Sequence, residues 1–259
     1  MLNAVLFIFG PIQVRYYGIL YAFAFIVGGY IAKKLSKYFK INESEIDDYI
    51  PYIIIADIVG ARLFEVLFYD PKYYFSNPLK IFAIWEGGLA SHGAIIAIIL
   101  TTYYFCKKRN INVLNFLDLI SIPIALGAAF IRLGNFINSE LVGKVSNLPW
   151  AVKFNGYEGL RHPVQLYQAF GHILIFFILI LVLFNYKNRK TGFIFFSMLL
   201  LDSIFRFVTE FFKDLPLDYG FFYFNLNLAQ WFSIAIALIC IFSLIRIYSN
   251  IFLIFTSDG

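Results

Sequence analysis

The chain has 259 residues, of which 61% are hydrophobic, 20% aromatic and 14% charged, whereas ordinary soluble domains run near roughly 45–50% apolar and about 25% charged. With 21 basic and 16 acidic side chains there is too little charge for the polar shell of a water-soluble globule, and the apolar residues gather into long runs, so the composition reads as a helical membrane protein. The net charge of +5 comes from residues at the ends of those runs rather than from one basic face, which argues against a nucleic-acid partner.

In chain order, no basic residue precedes Arg15, so the start lacks the charged region of a cleavable signal peptide and the first apolar run is expected to stay. Seven spans are expected, at about 16–33, 46–69, 89–106, 113–133, 165–185, 191–212 and 227–248. Tyr17 and Tyr21 stand at the start of the first, where spacing alone reads them as interface aromatics. Asp57, Arg62 and Glu65 interrupt the second, and the third begins beside Gly87, Gly88 and His92. Cys106 and Cys240 lie far apart in apolar runs, without disulfide or metal spacing, and read as packing residues.

Basic residues in the loops set the expected orientation. Lys33, Lys34, Lys37, Lys40, Lys107, Lys108, Arg109, Lys187, Arg189, Lys190 and Arg246 fall on one side, eleven against the seven of the alternate loops: Arg15, Lys72, Lys80, Lys144, Lys153, Arg161 and Lys213. An odd number of spans then puts the N-terminus outside, the C-terminus in the cytoplasm and the longest connection, about 134–164, on the outer face. No internal repeat or linker divides the chain, so residues 1–259 are expected to form one transmembrane domain.

The remaining three basic residues, Arg62, Arg132 and Arg206, fall inside spans, where an ionisable group costs roughly 2.5–3.5 kcal/mol on insertion scales and therefore calls for a partner or a role. Arg62 has Asp57 and Glu65 within reach along its own helix, so an ion pair and a functional role are equally open. Arg206 has Glu210 one turn on; Arg132 has no acidic neighbour within a turn. Arg132 is followed by Gly134, Asn135, Asn138, Glu140 and Gly143, a polar cup at a helix end. His92 and His162 sit beside small or rigid residues, while His172, inside a run, reads as packing. Guanidinium groups with amides suit an anionic phosphate, which leaves an enzyme acting on a phospholipid and a transporter of an anionic solute both open.

The segment RLGNFINSELVG, Arg132 to Gly143, resembles the signature of the bacterial prolipoprotein diacylglyceryl transferases, Gly-Arg-x-Gly-Asn-Phe-x-Asn-x-Glu-x-x-Gly. Four other segments occur in that family's order: RYYGILYAF at 15–23, ARLFEVLFYDP through WEGGLASHG at 61–93, RHPVQLYQ at 161–168 and FRFVTEFFK at 205–213. Two positions depart from the pattern, with Ile131 in place of a glycine and Gln168 in place of a glutamate.

The resemblance implies a seven-helix enzyme of the bacterial inner membrane with its active site toward the outer face and no metal or organic cofactor. It would move the diacylglyceryl group of phosphatidylglycerol to the lipobox cysteine thiol of a preprolipoprotein signal peptide, forming a thioether and releasing glycerol phosphate. The family's important positions fall on Tyr17, His92, Arg132, Asn135, Glu140, Gly143 and Arg206. In this expectation Arg132 and Arg206 clamp the phosphate and His92 raises the thiolate fraction of the cysteine. Tyr17, Asn135 and Asn138 position the head group, Glu140 orients an arginine or a glycerol hydroxyl, and Gly143 serves backbone geometry. Arg62 and Glu210 complete the expected substrate-binding set. The transporter reading would require repeats and polar groups at mid-membrane, and the sequence shows neither.

Overall fold

The structure, a computed structural model, describes residues 4–10, 12–215 and 224–255. All seven apolar runs coincide with α-helices: α1 (Tyr16–Ser36), α2 (Glu43–Phe64), α4 (Ser91–Lys108), α5 (Val113–Ile137), α6 (Val164–Asn185), α7 (Phe193–Glu210) and α8 (Leu228–Phe255), with a short α3 (Pro71–Ser76) after α2. Four of these segments are long and apolar enough to cross a membrane: Tyr16–Phe39, Val113–Ile137, Val164–Asn185 and Leu228–Ser249. Their outward faces are apolar, as at Phe177, Leu181, Ile239 and Phe242, all exposed, which suits lipid rather than water. The protein is therefore a mainly helical membrane protein.

Two short strands, which no residue pattern marks, precede the first helix. Val5–Phe9 (β1) and Ile12–Arg15 (β2) pair antiparallel ahead of α1, with Gly10 at φ +57° in the turn. A short continuous apolar run has no period with which to distinguish helix from strand.

The chain packs as two compact units, one formed by Met1–Ala32 with Leu117–Gly259 and the other by Lys33–Phe116. In the first, the start of α1 lies on α5, with Phe23 edge-on to Phe130 at 5.1 Å, and α7 packs against both α6 and α8. Gly171 of α6 meets the Phe205 ring of α7 so closely that a Cβ there would overlap it. The Asp118 carboxylate, buried on α5, accepts the backbone N–H groups of Gly192 (2.6 Å) and Phe195 (2.8 Å), satisfying orphan donors at the start of α7 and placing negative charge at the positive end of its dipole.

The second unit is built on α2 against α4. Gly60 and Gly93 face each other across this contact, and a Cβ on either would overlap the other's backbone, the close approach that small residues permit between helices. Tyr49, Phe105 and Phe116 form an aromatic cluster, and the Tyr49 hydroxyl lies 2.6 Å from Thr102 Oγ1. Salt bridges join Lys33 to Asp47 (2.8 Å) and Arg109 to Asp48.

Candidate active site

Most of the expected site residues occur at one end of the first unit, and local structure explains their placement. Helix α5 runs past Arg132 to Ile137 and closes with two crossing hydrogen bonds, Glu140 N–H to Asn135 O (2.9 Å) and Ser139 N–H to Phe136 O (3.1 Å), with Ser139 at φ +58°. This is a Schellman closure with serine in the left-handed position usually held by glycine. It folds the signature back on itself. The Asn135 amide donates to Glu140 Oε2 (2.9 Å) and the Asn138 amide to Glu140 Oε1 (3.1 Å), so Glu140 is held by the two asparagines of its own segment.

The segment after α5 is stitched to the start of α6 and the end of α7. Gly143 N–H donates to His162 O (3.2 Å), Lys144 N–H to Phe212 O (2.9 Å) and Asp214 N–H to Val142 O (3.0 Å). A Cβ on Gly143 would overlap the His162 carbonyl and come within 2.6 Å of His162 Cβ and 2.8 Å of Val164 Cγ2. Gly143→Val should therefore open this seam and destabilise the fold by about 1–3 kcal/mol, as overpacking does, read as a lowered thermal midpoint in detergent; an unchanged midpoint would show that the seam relaxes freely. Arg161 adds an ion pair to Asp214 at 2.5 Å, and Gln165 Nε2 donates to Glu140 O at 2.5 Å.

Tyr17 lies on the buried face of α5, where a Cβ on Gly134 would come within 2.6 Å of Tyr17 Cδ2; its ring stacks on Tyr21 at 6.1 Å. Arg132 interacts electrostatically with Arg206, Asp202, Tyr17 and Glu210, so α1, α5 and α7 all contribute to its surroundings. Among the described residues neither guanidinium makes a hydrogen bond or an ion pair. Glu210, only 2% exposed, is paired through Oε1 with Lys213 (3.2 Å), while its Oε2 is buried with no donor among the described residues. Asn138 Oδ1 and Gln165 Oε1 are likewise buried without donors. One end of this unit thus presents two open cations and three open acceptors. That arrangement fits an anion that also carries hydroxyl groups.

The structure adds a pair that the sequence left out. His172 Nδ1 of α6 lies 3.4 Å from Asp202 Oδ1 of α7, with side chains 15% and 38% exposed, and His172 interacts electrostatically with Arg132 and Arg206 as well. Asp202, four residues before Arg206 and therefore on its face, was the available signal, since a carboxylate within an apolar run needs a reason. Gln168, which replaces the expected glutamate, donates to Thr209 Oγ1 at 3.2 Å, both side chains buried; an amide makes that bond without a buried charge.

Arg62 and His92 belong to the second unit. Arg62 is 5% exposed and its guanidinium donates to the carbonyls of Lys80, Ile81 (2.9 Å), Ala83 (3.2 Å), Gly87 (2.6 Å) and Gly88 (2.9 Å) and to the Tyr74 hydroxyl (3.1 Å). Its Cζ also lies over the Tyr74 ring, 4.8 Å from the centroid. It is the knot of the 80–88 loop. His92, exposed in the first turn of α4, holds its Nδ1 3.0 Å from the Tyr69 hydroxyl. Cys106 and Cys240 are both buried, and among the described residues no cluster of His, Cys, Asp and Glu is suited to a metal ion.

A family model described as prolipoprotein diacylglyceryl transferase matches residues 4–246. The chain belongs to the prolipoprotein diacylglyceryl transferase family. Curated relatives carry the name phosphatidylglycerol–prolipoprotein diacylglyceryl transferase. The protein of that name from Tolumonas auensis is 39% identical over 234 residues, 88% of this chain and 89% of the relative. That from Chloroherpeton thalassium is 38% identical over 239 residues, covering 90% and 88%, and that from Rickettsia typhi is 36% identical over 254 residues, covering 96% and 98%. The similarity therefore takes in both compact units, including the loop that Arg62 holds and the end of α5 that presents Arg132.

Proposed function

We infer that this chain transfers the diacylglyceryl group of phosphatidylglycerol to the lipobox cysteine thiol of a prolipoprotein, forming a thioether and releasing glycerol phosphate. Beside family membership, one observation carries the reading: two guanidinium groups with no hydrogen-bond or ion-pair partner among the described residues share one end of an apolar helical unit with three buried acceptor oxygens that lack donors there. A phosphodiester supplies the anion and a glycerol head group supplies the hydroxyl donors. Arg132 and Arg206 hold the phosphate and offset the charge that grows on the departing oxygens. Glu210 Oε2, Asn138 and Tyr17 meet the head group, and Asn135 with Glu140 fixes the turn that presents them. His92 is assigned to the handling of the incoming peptide, while Arg62 and Gly143 each hold backbone in place within their own unit.

The two units serve as one transmembrane catalytic domain with seven spans, the N-terminus outside and the active site toward the outer face of the bacterial inner membrane. The excess of Lys and Arg in the loops assigned to the cytoplasm supports this orientation. Both substrates then arrive from the bilayer, the lipid by diffusion and the signal peptide through its apolar segment. The chemistry needs no cofactor, because the phosphate is itself the leaving group.

The test is transfer in vitro. Purified protein, phosphatidylglycerol labelled in the acylated glycerol and a lipobox peptide should give a peptide heavier by one diacylglyceryl unit, and a Cys-to-Ser peptide should gain nothing. Folded protein that binds phosphatidylglycerol without ever modifying the peptide would overturn the reading.

A further inference from the structure

The transfer requires a base, because the cysteine must give up its proton before its sulfur can attack. We propose that this proton goes to Nε2 of His172, with Asp202 holding the ring through Nδ1. The proposal rests on the transferase reading and assigns the proton to a histidine that no sequence motif marks.

Three observations support it. First, the pair is polar within apolar helices: His172 Nδ1 lies 3.4 Å from Asp202 Oδ1, and the imidazole is only 15% exposed. The close passage of α6 over α7 at Gly171 and Phe205 brings the two helices together at this level. With Nδ1 facing the carboxylate, Nε2 is the nitrogen left for a substrate proton, the orientation logic of base and orienting carboxylate in acyl-transfer enzymes.

Second, depth matches the substrate. Along helices rising 1.5 Å per residue, His172 and Asp202 are about 12 Å from the shared ends of α6 and α7, while Arg206 is about 6 Å and Arg132 about 7 Å from theirs. An outer-leaflet phosphatidylglycerol carries its head-group glycerol outermost, its phosphate next and the acylated glycerol beneath. A phosphate on the arginine pair therefore leaves its glycerol carbon, the point of attack, toward the level of His172.

Third, the charges balance through the reaction. The groups that act on His172 are Asp202 and Arg206 from α7 and Arg132 from α5; Arg132 in turn meets Tyr17 from α1 and Glu210, and Glu210 is already paired with Lys213. Two arginines against Asp202 leave one positive charge, which matches the single negative charge of the phosphodiester. In the step itself the S–H bond breaks, its proton goes to His172, and the sulfur pair forms the new C–S bond. The glycerol C–O bond breaks with its electron pair on the phosphate oxygen, so the monoanionic diester becomes a dianionic monoester. The protonated imidazole raises the site to two positive charges at that moment and later passes the proton to the departing phosphate, whose second pKa is about 6.

Single-turnover transfer to a cysteine peptide and to a selenocysteine peptide, whose selenol ionises at neutral pH without a base, separates proton removal from binding. His172→Gln should slow the cysteine reaction by about 100-fold near neutral pH, the usual weight of a general base. It should recover as pH approaches the free thiol value of about 8.5, and also with the selenocysteine peptide. Asp202→Asn should show the same preference for selenocysteine with a smaller loss, which secures the test if His172→Gln fails to fold. Arg206→Ala should stay slow with both nucleophiles, and His92→Gln should keep the wild-type ratio between them. His172→Gln at full speed on cysteine, or equally slow on both, would overturn the proposal, as would a selenocysteine preference appearing in His92→Gln instead. A wild-type protein inactive with either peptide would overturn the transferase reading itself.

Discussion

Arg132→Ala and Arg206→Ala are each expected to lower the rate of diacylglyceryl transfer by about 10²–10³-fold, because a well-placed donor to developing charge is worth roughly 3–4 kcal/mol. The geometry supports an effect of this size. Neither guanidinium is committed to a partner among the described residues, so each is available to the phosphate, and the two lie close enough for their like charges to act on each other. The double variant should lose little more than the worse single one, since groups that act on one phosphate are not additive. Arg132→Lys should restore only part of the rate, because an ammonium cannot span two phosphate oxygens as a guanidinium fork does. Single-turnover rates with labelled phosphatidylglycerol in detergent or proteoliposomes measure this directly. Full activity in Arg206→Ala, in protein that binds lipid normally, would remove that residue from the mechanism.

Arg62→Ala is expected to act through stability instead. Its side chain is buried and feeds five backbone carbonyls of the 80–88 loop and the Tyr74 hydroxyl. Each acceptor left buried without a donor costs about 1–3 kcal/mol, and part of the loop rehydrates, so a net loss of about 3–5 kcal/mol follows. The measurement is the thermal midpoint in detergent, together with protease cleavage within residues 77–90, which should become rapid. Arg62→Lys should rescue little of this, since one ammonium cannot reach the carbonyls spread around the edges of the guanidinium. An Arg62→Ala protein with an unchanged midpoint and a lost affinity for phosphatidylglycerol would instead make Arg62 a ligand-contacting residue.

The difference between these three arginines marks what a sequence can and cannot resolve. Insertion energetics single out all three equally, because each is a charge in an apolar run. Spacing offers Arg62 two carboxylates along its own helix, and it offers Arg132 none. Besides Tyr74, the described hydrogen-bond partners of Arg62 are carbonyls 18 to 26 residues further on, and backbone carbonyls carry no side-chain signature, so no pattern reading could have found them. The same holds for Asp118, which caps a helix 74 residues away.

Glu140 shows the opposite case. Its partners Asn135 and Asn138 lie within five residues, so a motif read along the chain contains the whole arrangement once the helix is known to end between them. His172 falls between the two cases. Alone it reads as a buried histidine in an apolar helix, the commonest interpretation of such a residue. Its significance depends on Asp202, which comes from a different helix and approaches because Gly171 lets α6 and α7 pass closely.

The sequence by itself determined the class of environment, the positions of the helices and the run of polar residues after α5, because apolar run length, charge placement and a local turn motif are properties of neighbouring residues. Only the tertiary structure decided that Arg62 is a loop knot, that the end of α5 is stitched to the ends of α6 and α7, and that a histidine and an aspartate meet beside the arginine pair. Those outcomes depend on contacts between residues far apart in the chain, and such contacts are set by which helices pass closely enough to touch, a property of packing that no single helix encodes.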